Sequence, residues 1–300
     1  MNLYSQIDSN KRKTWVFILG FVVFIVSLAF VFSYALSGDY SFVVIAALIS
    51  IFTSWASYYY SDKIVLSISG AKEVKHEDNP DLYHILENLC IGAGLPQPKL
   101  YIIDDTAPNA FATGRDPNHA VIAVTTGLLQ KLDKPELEGV IAHELSHIGN
   151  YDIRLMTIVA VLAGTVVLLS DLFMRWTWWG GRDNDDKGGG QLKLIIFMVA
   201  IVLAILAPLI AQIIKMAISR KREFLADANS ALITRHPEGL ARALQKISAD
   251  TEPLEVANRA TAHMYIVNPL KGHEGARTWF SGLFMTHPPI EERIAALRSM

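Results

Sequence analysis

Apolar residues run without a charge from residue 14 to 36 and again from 40 to 61. Each run is long enough to cross a bilayer as a helix, which takes about 20 residues. Tyr58, Tyr59 and Tyr60 close the second run as an aromatic belt. A third run, residues 155–174, is apolar up to Asp171, and a fourth, residues 194–214, is apolar throughout, with Pro208 as a kink point. The competing reading of each run is a buried core helix, which is more open for the last two because their clean stretches are shorter.

Lys11, Arg12 and Lys13 precede the first run and put the N-terminus in the cytoplasm by the positive-inside rule. The same triplet resembles the basic region of a signal peptide. The apolar run behind it is too long for the usual core of about 7–15 residues, so an anchor is expected. Only Ser37, Gly38 and Asp39 separate the first two runs, which makes them a hairpin. Four domain segments follow. Residues 1–61 form a transmembrane hairpin, and 62–154 the first part of a cytoplasmic domain. Residues 155–214 form a second helix pair around an external loop, 175–193. Residues 215–300 return to the cytoplasm, led by Lys215, Arg220, Lys221 and Arg222. Gly188, Gly189 and Gly190 read as a flexible linker, since no Gly-Lys-Ser/Thr follows them.

The soluble segments mix the two periods. Residues 80–93 predict a helix with Leu82, Ile85, Leu86 and Leu89 on one face. Residues 99–103 and 120–125 predict short strands. Residues 104–117, with Pro108, Asn109, Gly114, Asp116 and Pro117, predict a loop. Asp133, Pro135 and Glu136 predict a capped helix over 134–150. Further helices are expected over 219–234, 237–249 and 289–298. This part is α+β and mostly helical.

Composition agrees with a membrane protein: 51% of the residues are hydrophobic. The net charge is −2, from 27 basic and 29 acidic residues, and gives no reason to expect nucleic acid. Cys90 is the sole cysteine, which leaves no intrachain disulfide and no cysteine-rich metal site.

The chemistry centres on His143-Glu144-Leu145-Ser146-His147. Two histidines four apart on a helix share a face, with Cβ atoms about 5–6 Å apart, so both rings reach one ion. A catalytic zinc usually takes three protein ligands and keeps one position open. Glu144 lies one residue round from His143, within reach of a water at the metal. A chance match on an amphipathic helix is the bland alternative, and the capped helix with Leu137, Val140 and Ile141 argues against it.

The third ligand must lie on the same side of the membrane. Glu223 and Asp227 are again four apart, in a segment otherwise rich in Lys and Arg. Glu223 is assigned as the ligand and Asp227 as acceptor from a ligand imidazole. Spacing alone equally allows a solvated pairing with Lys221 or Arg222. Asp152, His263, His273 and His287 stay in competition on that basis.

Four motifs in order carry a resemblance. They are Asn109-Ala110-Phe111-Ala112-Thr113-Gly114, the His143–His147 run, the stretch from Ser219 to Asp227, and Met285-Thr286-His287-Pro288-Pro289 with Arg293. With the four-span layout, they resemble the HtpX heat-shock membrane proteases, relatives of the CAAX prenyl proteases. The resemblance implies that Glu223 is the third ligand of one Zn²⁺ per chain and that Asp227 supports the site. It implies that Asn109 lies in the active-site cleft, before a strand that pairs with an extended substrate. It implies that His287 stabilises the oxyanion and that Arg293 orients the site or the Glu223 helix. The bland alternatives are a turn residue for Asn109 and a structural cap for His287.

The resulting expectation is a mostly α protein: four transmembrane helices plus a cytoplasmic α+β, zincin-like metalloprotease domain with a small β-sheet. Glu144 is the expected general base on water at the zinc. The resemblance implies a multi-pass protein of a bacterial inner membrane, with both termini cytoplasmic. The implied partners are unfolded or misfolded membrane-protein substrates and the lipid bilayer. A CAAX-type prenyl-protein protease is the same chemistry on another substrate. A non-catalytic zinc-binding scaffold would need a fourth protein ligand and would leave Glu144 idle. A transporter would place ionisable groups inside its spans, which hold only Asp171 near an end.

Overall fold

The computed structural model describes residues 3–36, 40–162, 164–165, 220–257, 261–267, 269 and 288–300. Among them the chain is mostly helical, with one small mixed sheet. The two leading apolar runs form α1 (Leu3–Leu36) and α2 (Ser41–Ile68). Both helices outrun the apolar stretches: α1 starts before the basic triplet, and α2 continues past Ser61. They lie antiparallel. Trp15 stacks on Tyr58 with ring centroids 5.7 Å apart, and Phe30 meets Tyr40 at 5.8 Å near the other end.

Val16, Leu19 and Val23 on α1, and Leu48 and Ile49 on α2, are exposed. So continuous an apolar surface fits a hydrocarbon environment, in which a helix satisfies its own backbone. Among the described residues, Val43–Ile68 has the length and composition to cross a membrane. The expected third span begins within helical residues 152–162. Half of it, the loop 175–193 and the fourth span at 194–214 lie outside the described residues.

The sheet has the order β1-β2-β4-β3, from β1 (Lys72–Glu73), β2 (Lys99–Ile103), β3 (Ala110–Gly114) and β4 (Ala120–Thr125). β2 and β4 are parallel, and the other two pairings are antiparallel. Side-chain alternation sorts the strands between two cores. Leu100, Ala112, Ile122 and Val124 face the helical core. Ile103, Phe111, Val121 and Ala123 face a second one, closed by Val65 and Leu66 of α2 with Tyr265. The sheet is therefore covered on both faces.

β3 corrects the loop expected over 104–117. Pro108 and Asn109 end where β3 begins, and Asp116 and Pro117 follow it, so the turn residues bracket a strand. All five β3 residues are buried, and both faces find partners. A strand covered on both sides does not alternate apolar with polar, which hides it from a pattern reading.

Helix α3 (Pro80–Ala93) buries the expected face, with the Asn79 side chain accepting from Leu82 N–H and Gly94 ending it at φ 64°. After β4 come α4 (Thr126–Lys131) and α5 (Lys134–Gly149), then α6 (Arg220–Thr234), α7 (Pro237–Ala249) and α8 (Ile290–Arg298). α8 starts one residue later than expected because Pro289 stays extended, at ψ 134°.

α5 is the central helix, packed against α6 and α7. The α5–α7 crossing requires Gly139: a Cβ there would sit 2.7 Å from Leu240 N and 2.8 Å from its Cα. Ala is the better helix former, but backbone cannot yield as a side chain does. Gly139→Ala is expected to destabilise the fold by about 1–3 kcal/mol. A lower melting temperature in detergent checks this, and an unchanged or raised one contradicts the close crossing.

Candidate metal centre

The site starts with a helix cap. Asp133 accepts from Glu136 N–H at 3.1 Å, and Glu136 accepts from Asp133 N–H at 2.9 Å, the predicted reciprocal box. The cap fixes where α5 begins, and thereby the face on which His143, Glu144 and His147 emerge. All three are buried. The two imidazole rings stand nearly perpendicular, at 86°.

The Nε2 atoms of His143 and His147 lie 3.2 Å apart. Two nitrogens, each about 2.0–2.1 Å from a tetrahedral zinc, lie about 3.3 Å from one another. Glu223, in the first turn of α6, brings its carboxylate oxygens to 3.9 Å from His143 Nε2 and 3.6 Å from His147 Nε2. One donor atom from each of the three residues lies within 4.8 Å of the other two. The same atoms would repel a proton-poor, metal-free arrangement, so their convergence fits a cation.

The far side of each ring is held. His143 Nδ1 lies 3.0 Å from Asp227 Oδ1, and His147 Nδ1 lies 3.0 Å from Asp152 Oδ2. Each Nδ1–H donating to a carboxylate leaves the Nε2 lone pair for a metal. Each carboxylate is in turn held by an arginine. Arg293 is fully buried and donates to Asp227 from Nε at 2.8 Å and from Nη2 at 2.6 Å. Arg222 Nη1 lies 3.3 Å from Asp152 Oδ1. Arg293 also stands 3.6 Å from Glu223 and donates to the Ile266 carbonyl at 3.2 Å. One turn and a half of α6 thus contributes Arg222, Glu223 and Asp227.

The electrostatics follow from this layout. Burial drives His143 down to about 4, against the pull of Asp227. Burial also works against a charge on His147. There the Asp152 hydrogen bond and the charges of Glu223 and Glu144 outweigh it, and the ring is lifted to about 9. Burial would raise Asp227, but the Arg293 guanidinium holds it below its ordinary value. Glu144 is pushed up to about 7 by burial, against the opposing pull of His147 and, more weakly, of the nearby Ala112 N–H.

A metal requires neutral imidazole. Without a bound metal, His147 would keep its proton up to about pH 9, so the metal must displace it. Zinc affinity is therefore expected to rise with pH from 6 toward 9, by up to about tenfold per unit, with proton release on binding. Competition against a chromophoric chelator across that range checks the sign. A flat profile contradicts the charged His147.

Asn109 sits at the start of β3 with its side chain buried and engaged. Its Nδ2 donates to the Val267 carbonyl at 3.0 Å, and its Oδ1 accepts from Ala110 N–H at 3.1 Å. It ties β3 to the 261–267 segment. His263, weighed as a ligand, is buried, with Nε2 3.2 Å from the Met156 carbonyl, and is not in the cluster. His273 and His287 lie outside the described residues. Asp152 was weighed as a ligand and proves to be the partner of His147. The signal that could have found it is an acidic residue directly beyond the histidine helix, at the mouth of an apolar run.

Residues 76–300 match the profile of peptidase family M48. The chain is 48% identical over 299 residues to the Protease HtpX homolog of Dictyoglomus thermophilum, covering 99% of this chain and 94% of that protein. It is 45% identical over 300 residues to the Protease HtpX homolog of Ligilactobacillus salivarius, covering 99% and 100%. The crystal structure of S. mikatae Ste24p is matched at a TM-score of 0.48 and 17% identity, over 98% of this chain and 67% of that one. By the family profile and by relatives aligned over nearly its whole length, this chain belongs to peptidase family M48.

Proposed function

We propose that this membrane metalloprotease is a zinc endopeptidase that hydrolyses peptide bonds of unfolded or misfolded membrane proteins. The observation that carries the reading is the convergence of His143, His147 and Glu223 within 4.8 Å, beside a buried Glu144. One zinc per chain, held by those three residues, supplies Lewis acidity that polarises the scissile carbonyl and acidifies water. Glu144 accepts the proton of the attacking water and returns it to the leaving amine. Its position near 7 suits a group that must both take and give a proton near neutral pH. Asp227 and Asp152 hold the two imidazoles, and Arg293 locks Asp227 while standing against Glu223. His287 is proposed, from the family resemblance, to stabilise the oxyanion.

The edge of β3 supports an extended substrate. Register with β4 turns alternate peptide groups outward. Ala110 carbonyl is taken by Ile266 N–H at 3.0 Å, and Ala112 N–H faces Glu144. A peptide added beyond Ala112 would run past Glu144. Asn109 then serves by fixing the start of that edge.

The proposed topology is four spans in a bacterial inner membrane, at 14–36, 40–61, 155–174 and 194–214, with both termini and the catalytic parts, 62–154 and 215–300, cytoplasmic. The exposed apolar α1–α2 hairpin supports the first pair. The test is incubation of purified protein with an unfolded test protein and, separately, with a prenylated peptide. Cleavage of the unfolded protein, abolished by chelator and restored by zinc, is expected. Chelator-resistant cleavage contradicts the zinc role, and cleavage of the prenylated peptide alone contradicts the substrate class.

A further inference from the structure

Asn10 lies near the start of α1, before the basic triplet and the apolar run. A membrane anchor calls for no buried amide there, yet Asn10 is only 3% exposed. Its Nδ2 donates to Asp152 Oδ1 at 2.8 Å and to the Asn150 carbonyl at 3.0 Å. Its Oδ1 accepts from Arg222 Nη1 at 2.9 Å. The amide nitrogen is thus directed at the segment that follows the histidine helix, and the amide oxygen at Arg222 of α6, which itself reaches Asp152. One turn on, Thr14 is also buried and donates to the Asn10 carbonyl at 2.9 Å.

That segment is a special one. α5 ends at Gly149, Asn150 caps it, and Tyr151 adopts φ 59° before helical residues resume at 152. The left-handed region is unfavourable for a bulky side chain, by roughly 1–2 kcal/mol. The reversal at Tyr151 aims Asp152 back at His147, and the surroundings must hold it there. α1 touches all three residues of the turn. Asn10 bonds Asn150 and Asp152, and the Lys11 ammonium stands over the Tyr151 ring, 4.5 Å from its centroid.

The two carboxylates behind the histidines are therefore held differently. Asp227 is gripped by both nitrogens of one arginine fork, from a neighbouring soluble helix. Asp152 spends one oxygen on His147. Its other oxygen has Arg222 at 3.3 Å and the amide of Asn10, closer, at 2.8 Å. The closer of those two partners belongs to the first helix of the chain.

We propose that Asn10 is a positioning residue of the zinc centre, acting through Asp152 on His147, so that the first membrane helix is a structural part of the metal site as well as an anchor. The inference rests on the zinc reading above. Partners of this kind fix ring orientation, and removing them typically weakens metal binding by about 10–100-fold. Asn10 stands one bond further out, which places it at the lower end. Removing α1, by proteolysis after the hairpin or by displacement from the bilayer, is then expected to loosen zinc as well as membrane attachment.

The test measures how fast zinc leaves the full-length, zinc-loaded protein for a chromophoric chelator, in detergent at fixed pH. Asn10→Ala is expected to release zinc roughly tenfold faster than wild type. Asn10→Asp keeps the shape, loses the donor and sets a carboxylate against Asp152, and is expected to do the same. Phe30→Ala disturbs α1 packing at the far end of the hairpin, against Tyr40, and is expected to match wild type. In an Asp152→Asn background, Asn10→Ala should add no further acceleration, because its route to the metal is gone. That loss of additivity separates positioning from general weakening of the fold. Release at the wild-type rate from both Asn10 variants overturns the inference while leaving the zinc reading intact. So does full multiplication of the Asn10→Ala and Asp152→Asn effects. Wild-type protein that takes up no zinc overturns the zinc reading itself, and this inference with it.

Discussion

Glu144→Gln keeps its zinc and loses at least about 100-fold in proteolytic rate, the lower bound for removing a general acid–base group. The amide preserves the shape of the side chain, and Glu144 is not among the three donors that converge. What it cannot do is accept a proton. A second effect separates this variant from a damaged one. In the metal-free protein, burial lifts Glu144 to about 7, above its unfolded value. Its stabilising influence is therefore full at low pH. It declines as pH rises from the unfolded value through about 7, and is spent above that. Gln carries no such penalty, so metal-free Glu144→Gln is expected to melt higher than metal-free wild type at pH 8. Zinc content, turnover of an unfolded protein and a melt together check the claim. Wild-type turnover in the purified variant contradicts the role given to Glu144.

Glu223→Ala is expected to lose zinc, with affinity falling by more than about 100-fold, beyond the range for outer partners because a direct donor is removed. The change also strips the carboxylate that faces His143, His147 and Arg293 from a buried site. Two imidazoles and a fully buried guanidinium then stand together with less opposing charge, so the metal-free fold weakens too. Titration with zinc, read against retained secondary structure, checks this. Full occupancy in Glu223→Ala contradicts the assignment. The two variants divide the site: one loses chemistry and keeps metal, and the other loses both.

What the sequence discloses depends on how far apart the partners are. The α5 cap is legible because Asp133 and Glu136 are three residues apart and satisfy each other. The face shared by His143 and His147 follows from helical geometry alone. Glu223 and Asp227 share a face for the same reason, but which of them meets the metal depends on how α6 packs on α5. Spacing could not decide that, and the family resemblance could. β3 stayed hidden because both its faces are buried and turn residues flank it. Asp152 was legible as a candidate, but its role as partner of His147 was not, because its approach depends on a single left-handed residue, Tyr151. Asn10 and Arg222 stayed hidden because 142 and 70 residues separate them from Asp152. No local pattern encodes a contact of that reach. These tertiary partners belong to the supports of the site, while Glu144 and two of the three metal donors sit on one helix.

The membrane layout and the metal site bear on each other. His143 and His147 end α5 just before an apolar run, and Glu223 begins α6 just after the next one. In the proposed four-span layout the two intervening spans return α6 to the side of α5, in keeping with the convergence of the three donors. The supports of the site reach into the first helix as well, through Asn10.

The most direct measurement is anomalous diffraction at the zinc edge from crystals of the zinc-loaded protein. A single peak is expected at about 2.0–2.2 Å from Nε2 of His143, Nε2 of His147 and a carboxylate oxygen of Glu223. A peak elsewhere, or zinc held by a set that leaves Glu223 out, would contradict the account.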